Sequence, residues 1–404
     1  MDVDQVQHPP LQGNLSVDVA IVGAGLSGLG AAHALRDSGA RVVVLEAGTV
    51  GSGASGRNGG FVLAGPAMEY ADAVERLGAG AARELWDFTI ENNRSIARLI
   101  EEYEIDCGYL RRGSMSLAAS EDEVKVLQRT YHDLAAVGIA TCLATAEQLP
   151  RPFDRSYFAG LYYPGNAEMN SGAFVRGVAG ALSTRVSFHE RTPVGRLEHN
   201  GEWELSTPKG AVCARSVVLA ANAWTSTLLP DVPIYPTRGQ VVATAPLPSV
   251  AVPFPMYANH GYQYWRQTAD GRLVVGGWRD LDLAGEVGWD EVMHGGIQAA
   301  LEAFVATTAG DEAKIDYRWS GCMGFTPDHF PLVGPVPSMP DLYVAAGYSG
   351  HGVSMAFRCG ESVARSIEAQ GVRLPTAFCQ ARFNGVRQEH VEKGKVSDQR
   401  RMRD

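Results

Sequence analysis

Three glycine-rich clusters carry the residues of this chain whose types and spacing could do chemistry, and the first reads GAGLSG from Gly23 to Gly28. In such a motif Gly23 permits a tight turn after a strand, Gly25 lets the backbone approach a pyrophosphate, and Gly28 allows close packing of helix on strand. The unpaired N–H groups at the start of the following helix form an anion site. Glu46 stands where a carboxylate can accept hydrogen bonds from ribose hydroxyls. The motif predicts a bound dinucleotide and leaves NAD and FAD both open.

The second and third clusters indicate one extended cofactor. GSGASGRNGG at 51–60 is too rich in glycine to form another helix, so we interpret it as backbone that wraps an extended cofactor, with a solvent loop as the alternative. GYSGHG at 347–352 again places a glycine turn before a helical pattern. Two helix starts would then serve one ligand.

The elements that position these clusters can be read from periodicity. Residues 17–22 predict a buried parallel strand, 26–37 a helix and 41–45 a second strand, which together form a βαβ unit. The segment 68–148 is charged and mostly helical in pattern. Residues 261–277 alternate around an Asp-Gly turn and predict a β-hairpin of a second domain.

These patterns predict a mixed α/β fold. It would combine a Rossmann-type dinucleotide-binding domain with a second domain built on an antiparallel-rich sheet plus helices. We predict the dinucleotide-binding domain at 14–80, 150–228 and 315–372, and the second domain at 81–149 and 229–314. A charged C-terminal tail is predicted at 384–404.

Composition narrows the class of partner. The 404 residues are 45% hydrophobic and 20% charged, which excludes a disordered chain, and the net charge of −10 repels phosphate backbones. We therefore expect a small-molecule substrate, no nucleic acid and no membrane partner. No secretory signal or spanning segment is evident, so we expect a cytoplasmic protein. The six cysteines contain no CxxC pair, so no disulfide framework and no metal site is predicted.

The chain resembles the FAD-dependent D-amino-acid oxidase and glycine/sarcosine oxidase-like family, nearest its γ-glutamylputrescine oxidoreductase-like branch. The resemblance covers about residues 17–365. It implies a discontinuous Rossmann-type FAD-binding domain at 14–80, 150–228 and 315–372, with a substrate-binding domain built on an antiparallel-rich sheet plus helices at 81–149 and 229–314. It is carried by GAGLSG with Glu46, GSGASGRNGG, VVLAANAW, RGQ at 238–240, WSGCMGFTPDHFPLVG and GYSGHG.

The resemblance implies which residues contact FAD, with Val194 at the adenine and 347–353 near the flavin pyrimidine. The full set is Gly23, Ala24, Gly25, Leu26, Ser27, Gly28, Glu46, Ala47, Ser52, Gly53, Ala54, Ser55, Arg57, Asn58, Gly59, Gly60, Val194, Ala220, Ala221, Asn222, Trp224, Gly347, Tyr348, Gly350, His351, Gly352 and Val353.

Two departures from the family favour non-covalent FAD. The tethering cysteine of the sarcosine oxidase branch lies five residues before the threonine of Thr-Pro-Asp, whereas Cys322 lies four before Thr326. The tethering histidine of the dimethylglycine dehydrogenase-like branch is replaced by Arg57. Whether Cys322 can still tether the flavin stays open at this point.

The family places its substrate over the flavin from the hairpin. Aromatic residues could form the wall that excludes water, and the candidates are Tyr262, Tyr264, Trp265, Tyr348 and Phe325. The alternative is that the hairpin aromatics belong to the core of a sheet. Arg57, Arg238 and Arg266 could each hold a substrate carboxylate, or could instead be surface or domain-linking arginines.

The predicted activity is FAD-dependent oxidation of an amine or amino acid. Hydride transfer to flavin N5 would convert CH–NH to an imine, which hydrolyses to a carbonyl product, with O2 as the favoured acceptor giving H2O2. One alternative is a dehydrogenase that uses a quinone or carrier acceptor on the same substrates. Another class of alternative is a flavin monooxygenase or a non-catalytic flavoprotein. The amine, the acceptor and the oligomeric state stay open.

Overall fold

The computed structural model describes residues 8–249, 252–370, 374–379 and 382, so the tail predicted at 384–404 lies outside the described residues. The described residues form eighteen strands, namely β1 (Leu15–Val22), β2 (Val42–Leu45), β3 (Phe61–Val62), β4 (Ser114–Ala118), β5 (Cys142–Thr145), β6 (Ala159–Tyr163), β7 (Ala167–Glu168), β8 (Ser187–His189), β9 (Arg196–His199), β10 (Trp203–Thr207), β11 (Gly210–Leu219), β12 (Tyr235–Pro246), β13 (Met256–Ala258), β14 (Gln263–Gln267), β15 (Arg272–Gly277), β16 (Ile315–Phe325), β17 (Leu332–Pro335) and β18 (Leu342–Ala346). They also form eight α-helices, namely α1 (Leu26–Leu35), α2 (Tyr70–Leu77), α3 (Ala79–Glu102), α4 (Glu121–Ala136), α5 (Ser171–Leu182), α6 (Thr225–Leu228), α7 (Gly295–Ala309) and α8 (Ala356–Ile367).

The first large sheet contains the predicted βαβ unit. Its strand order is β17–β18–β11–β1–β2–β8, and β1 runs parallel to both β2 and β11. The β2 sequence VVVL is buried at every position, as expected for a strand covered on both faces. The prediction of strand, helix and strand around GAGLSG is therefore confirmed. The hairpin β9–β10 extends the sheet by antiparallel pairing of β10 with β11.

Two glycines let helices α1 and α8 pack against each other at short range. A Cβ atom on Gly30 would collide with the carbonyl oxygen of Phe357, and one on Gly360 would collide with that of Ser27. Only glycine leaves room for this approach. Because α1 follows β1 and α8 follows β18, both helices begin at the same edge of the sheet.

The second large sheet contains the predicted hairpin. Its order is β16–β12–β15–β14–β13–β4–β6–β5, and all its pairings are antiparallel except β13 with β4. Strands β14 and β15 pair antiparallel around Gly271, whose φ of +88° requires a residue without Cβ. The hairpin prediction is confirmed. Helix α7 packs on β12 and β15.

Strand pairing and helix packing cross the predicted domain boundaries, which stay predictions. Strands β6 and β16 belong to the second sheet, although 150–228 and 315–372 were predicted for the cofactor domain. Helix α3, predicted for the substrate domain, shares one core with α1 and α8. A strand's pairing partner depends on contacts with distant segments, which its own sequence does not encode. In the described residues, none of the helices combines the length and apolarity that crossing a bilayer requires.

Candidate active site

Four motifs meet at one edge of the first sheet because four neighbouring parallel strands end there. Gly23 follows β1, Glu46 follows β2, Ala220 follows β11 and Gly347 follows β18. Ligands of open α/β sheets bind outside the carboxyl ends of the strands. A cavity of about 530 Å³ lies at this edge, within the size range of ligand-binding cavities.

Most of the residues predicted to contact the cofactor line this cavity. They come from all three glycine clusters and from the segments after β8 and β11. The predicted residues that line it are Gly23, Gly25, Leu26, Ser27, Glu46, Ala47, Ser52, Gly53, Ala54, Ser55, Arg57, Asn58, Val194, Ala220, Ala221, Asn222, Trp224, Tyr348, Gly350, Gly352 and Val353.

Six residues that were predicted to contact the cofactor do not line the cavity, and these are Ala24, Gly28, Gly59, Gly60, Gly347 and His351. Several of them position residues that do line it. A Cβ on Gly28 would collide with the carbonyl oxygen of Gly23, which is the close helix–strand packing that the motif predicts. The Gly347 N–H donates to Asn222 Oδ1 at 3.1 Å and so joins the third glycine cluster to the segment after β11.

Glu46 lines the cavity and also closes the first glycine turn. Its Oε2 accepts from the Ala24 N–H and its Oε1 from the Gly48 N–H, both at 2.8 Å. Burial raises the pKa of the Glu46 carboxyl, against the opposing effect of these two backbone donors. The sequence predicted the ribose acceptor but not this structural role.

The second glycine cluster is tied to the start of helix α1. Ser55 Oγ accepts from the Leu26 N–H at 3.0 Å, and a Cβ on Gly25 would lie 2.8 Å from that hydroxyl oxygen. The Asn58 amide donates to the carbonyl oxygens of Ala54 and Ser55 at 3.0 and 2.8 Å. The cluster is thus an ordered cradle that lines the cavity rather than a solvent loop.

The third glycine cluster is joined to the first by a buried hydroxyl pair. Tyr348 Oη lies 2.6 Å from Ser27 Oγ at the start of α1. Burial raises the pKa of Tyr348 well above its usual value, so the phenol stays neutral. Tyr348 lines the cavity, and its hydroxyl is directed to Ser27.

A segment that the sequence analysis missed covers the cavity from the second sheet. Trp289 and Glu291, between β15 and α7, both line it. The Trp289 ring lies 5.8 Å from that of Trp224, and the Glu291 carboxylate lies 2.7 Å from the Arg57 guanidinium. No local motif identifies these two residues, because they reach the cavity only when the strands of the second sheet pair.

Two of the three predicted carboxylate anchors hold this covering segment in place. Arg57 donates to the carbonyl oxygens of Ser52 and Ser320 at 2.6 and 3.1 Å, in addition to its ion pair with Glu291. Arg238 Nε lies 3.6 Å from the carboxylate of Glu286, whose side chain is fully buried. The structure thus gives both guanidinium groups protein partners, which favours the domain-linking interpretation.

The third predicted anchor, Arg266, holds the second glycine cluster. Its guanidinium donates to the carbonyl oxygens of Gly59 and Met169 and pairs with the buried Glu168. Tyr264 lies on the same face of β14, with its ring edge-on to that of Phe61 at 5.6 Å. Burial raises the pKa of Tyr264 to about 12. The partners of Arg266 are therefore protein groups. Tyr264 packs against the second glycine cluster, which lines the cavity.

Trp265 is corrected from substrate wall to core. It points to the opposite face of β14, is 0% exposed, and packs against Phe153 and Phe304 with ring centroids at 5.1 and 4.6 Å. Strand alternation separates it from Tyr264. The hairpin thus contributes one aromatic residue to the cradle and one to the core of the second sheet.

A cluster of rings and a cation borders the third glycine cluster. Arg279 lies over the rings of Tyr262 and Phe325, 4.6 Å from each centroid. A Cβ on Gly350 would lie 3.8 Å from Phe325 Cζ, and one on Gly261 would lie 4.0 Å from His351 Cε1. Tyr262 and Phe325 were predicted as wall residues. The sequence analysis missed Arg279, which follows the hairpin directly.

Cys322 does not line the cavity, whereas its neighbour Met323 does. The thiol is 1% exposed and donates to the carbonyl oxygen of Gly288 at 3.6 Å. Burial raises the pKa of Cys322 to about 11, so it stays a thiol at neutral pH. This placement supports the prediction of non-covalent FAD.

The arrangement fits FAD. The start of α1 presents N–H groups to a pyrophosphate, Glu46 offers carboxylate oxygens to a ribose, and Gly53 has no atom within 4 Å of the Cβ position, which leaves open space. A second helix start near the Gly350 end can stabilise negative charge on a flavin ring.

Comparisons with known proteins find an FAD-dependent family and similar oxidoreductases. The family model described as "DAO: FAD dependent oxidoreductase" matches residues 18–366. Gamma-glutamylputrescine oxidoreductase of Escherichia coli is 29% identical over 382 residues, covering 90% of this chain and 86% of its own. Glycine oxidase of Geobacillus kaustophilus is 28% identical over 388 residues, covering 93% and 98%. A crystal structure of glycine oxidase from the same organism superposes with a TM-score of 0.76 at 24% identity, covering 89% and 96%.

Proposed function

Because the chain belongs to the DAO family of FAD-dependent oxidoreductases, we propose that it oxidises the CH–NH bond of an amine or amino acid. The product would be an imine, which water hydrolyses to a carbonyl compound and an amine or ammonia. FAD, when bound, would accept the two electrons that this oxidation releases. The names of two relatives at 28–29% identity, a glycine oxidase and gamma-glutamylputrescine oxidoreductase, support an amine-containing substrate.

The observation that carries the proposal is the aromatic cluster beside Gly350, a residue that lines the cofactor cavity. Amine oxidation requires the reacting carbon to be held over the cofactor in a site that excludes water. Phe325 and Tyr262 provide apolar surface beside Gly350 and His351. We propose that these rings, with Tyr264 behind the cradle, form the substrate wall.

His351 fits a site that receives a neutral amine. Burial lowers the pKa of His351 to about 4, so the imidazole carries no charge at neutral pH. A neutral ring adds no cation beside an incoming amine and can still accept a hydrogen bond. Its buried Nδ1 has no hydrogen-bond partner within the described part of the chain. We therefore propose that His351 packs against the site and contacts the ligand, and that it does not transfer a proton.

On the cofactor side the chain's own residues bind and orient. The start of α1 would hold the pyrophosphate, and Glu46 would accept from the ribose while closing its turn. Asn222 and Tyr348 hold the third glycine cluster against the first, which keeps the two helix starts directed at one ligand. Pre-organised donors of this kind need no rearrangement during the reaction.

We further propose O2 as the electron acceptor, which the name of the glycine oxidase relative supports. The test is a screen of amines and N-methyl amino acids for anaerobic bleaching of the bound flavin, followed by measurement of O2 uptake and peroxide. Bleaching with O2 uptake is expected. Bleaching without O2 uptake would assign the dehydrogenase alternative, and bleaching by NADPH the monooxygenase. If no amine bleaches the flavin, the proposed function is wrong.

A further inference from the structure

Glu69 is a half-buried carboxylate at the start of helix α2. Its side chain does not accept from the N–H groups of that helix start, so it is not a helix cap. Its Oε2 accepts instead from the Tyr163 hydroxyl at 2.8 Å. Burial raises the pKa of the Glu69 carboxyl, against the opposing effects of Tyr163 and Ser116. The chain therefore keeps a desolvated carboxylate here that its own helix does not use.

Glu69 differs from other carboxylates of the second domain in its partners. Glu168 and Glu286, which are fully buried, each pair with an arginine. Glu69 forms no ion pair with a Lys, Arg or His of the described residues, and its partner at hydrogen-bond distance is a neutral phenol. Carboxylates removed from water are usually paired with a cation. A cation brought by a ligand would complete this site.

The charged groups that act on Glu69 from a distance leave it open to such a cation. Asp72, on the first turn of α2, adds a second negative charge. His260 acts in the opposite direction, but its side chain is 57% exposed and lies 4.0 Å from Glu123. Water screens exposed charges strongly. The surroundings of Glu69 therefore favour a positive ligand.

The face of the second sheet beside Glu69 carries a row of polar side chains. Ser116 on β4 pairs with Tyr257 on β13, which pairs with Tyr264 on β14. Residues opposite each other in neighbouring strands project from the same face. Trp265, the next residue along β14, lies in the core on the other face. The row is thus separate from the core of this sheet.

Hydroxyl groups surround the Glu69 carboxylate. The Ser116 hydroxyl interacts with Glu69, Tyr163 and Tyr257. Ser116 is 2% exposed, yet the geometry of its Oγ satisfies a hydrogen bond with none of the described residues. Glu69 and Tyr257 are partly exposed, whereas Tyr163 is buried. A small ligand can therefore reach the carboxylate and meet hydroxyl oxygens beside it.

The same row leads to the second glycine cluster, which lines the cofactor cavity. A Cβ on Gly59 would lie 2.9 Å from Tyr264 Cε2. Neighbouring strands are about 4.8 Å apart, so β4 lies roughly 10 Å from β14. Glu69, beside Ser116, is therefore about the length of one extended small molecule away from the substrate wall proposed at Tyr264.

We propose that Glu69, with the hydroxyl groups of Ser116 and Tyr257, is a cation subsite that takes a second, distal ammonium group of the substrate. This assignment rests on the function proposed above. The amine that is oxidised must be uncharged, whereas a distal amine keeps its proton at neutral pH. An ammonium group has three N–H donors, which a carboxylate and two hydroxyl oxygens can accept. The substrate would then be a diamine or an amino acid with a basic side chain, rather than an amine with an apolar end.

The first experiment measures amine binding to the FAD-loaded enzyme without O2, from the change in flavin absorbance that precedes bleaching. The probes are 1,5-diaminopentane and hexylamine, in which a methyl group replaces the distal ammonium. We expect the diamine to bind more tightly. Glu69→Gln should weaken diamine binding about ten- to a hundred-fold and leave hexylamine unchanged. Equal affinity for both amines in the wild type, or equal diamine affinity in both proteins, would overturn the proposal.

Glu75→Gln is the matched control, because Glu75 lies on the same helix but is 74% exposed and already lies 3.6 Å from Arg129. It should keep the preference for the diamine. Urea unfolding separates binding from a structural role. The amide of Glu69→Gln still accepts from Tyr163, and the desolvated charge is gone, so the free energy of unfolding should not fall. A fall with the diamine preference intact would overturn the proposal.

A second variant decides if Glu69→Gln does not fold. Glu69→Asp keeps the charge but withdraws it by one methylene group. Among diamines of increasing length, its tightest ligand should therefore be one methylene longer than that of the wild type. An unchanged length preference would overturn the proposal.

The second experiment separates this subsite from the proposed function. Anaerobic flavin reduction is compared within two pairs, 1,5-diaminopentane with hexylamine and lysine with norleucine. Faster reduction by the member with the distal ammonium, lost in Glu69→Gln, supports the proposal. Equal rates for both members in both proteins overturn the subsite but leave amine oxidation standing. Glu69-dependent diamine binding without reduction by any amine supports the subsite and refutes the proposed function.

Discussion

Replacement of Arg266 by Met tests whether this arginine holds the cofactor cradle or a substrate. The side chain is 7% exposed. Its guanidinium donates to the carbonyl oxygens of Gly59 and Met169 and lies 3.6 Å from the carboxylate of Glu168. Arg266→Met keeps much of the apolar stem but removes these hydrogen bonds. The buried carboxylate of Glu168, which is 0% exposed, is paired with Arg112 and Arg266, so the substitution removes one of its two partners.

The expected loss of stability is large. Removing one partner of a buried ion pair costs about 3 to 5 kcal/mol, against a total stability of about 5 to 15 kcal/mol for a folded protein. Adding Glu168→Gln to this variant should restore part of the lost stability, because it removes the buried charge. The recovery is only partial, since Arg112 would lose its own partner. FAD affinity should fall as well, because the Gly59 carbonyl is no longer held.

The assay is urea unfolding of the apo and FAD-loaded forms, with FAD titration of each variant. Arg318→Met serves as the control, since the Arg318–Glu302 pair at 2.8 Å is exposed and should cost at most about 1 kcal/mol. If Arg266→Met retains its stability and its FAD affinity but loses affinity for carboxylate-bearing amines, Arg266 is the substrate anchor and this reasoning is refuted.

Four further predictions follow from individual contacts. Glu46→Gln should raise the Kd for FAD about ten- to a hundred-fold in a flavin titration, because the amide keeps only one accepting oxygen and its NH2 group cannot accept a hydrogen bond; an unchanged Kd would remove Glu46 from the site. Acid precipitation should release yellow FAD into the supernatant, because Cys322 does not line the cavity; a yellow pellet would contradict this. Tyr264→Ala should slow anaerobic flavin reduction on the order of a hundredfold, whereas Trp265→Ala should cost about 3 to 5 kcal/mol of stability and spare the rate; the reverse pattern would exchange their roles. Burial lowers the pKa of His351 from 6.5 to about 4, so protonation favours the unfolded chain between these two pH values. The free energy of unfolding should therefore fall by up to about 3 kcal/mol as the pH falls from 6.5 to 4. His351→Gln should flatten this part of the pH profile, as measured by urea unfolding.

Much of the cofactor side could be predicted because its signals are local. The run VVVL, the helix after GAGLSG and the Asp-Gly hairpin each depend on residues within one element, where periodicity and glycine placement decide the conformation. Parallel strands then bring their carboxyl ends to one edge of the sheet, so Gly23 and Glu46 had to meet. The same logic placed the turn at 347–352 beside them.

The substrate side could not be predicted in the same way, because an arginine's role depends on which carboxylate reaches it. Arg266 meets Glu168 and Arg57 meets Glu291 only after distant segments pair. Arg279, absent from every local motif, lies near the rings of Tyr262 and Phe325 only in the folded chain. The sequence by itself determined a cofactor fold and its glycine turns. The tertiary structure decided which carboxylate each of these arginines meets, because charge pairing depends on distance in space and not on distance along the chain.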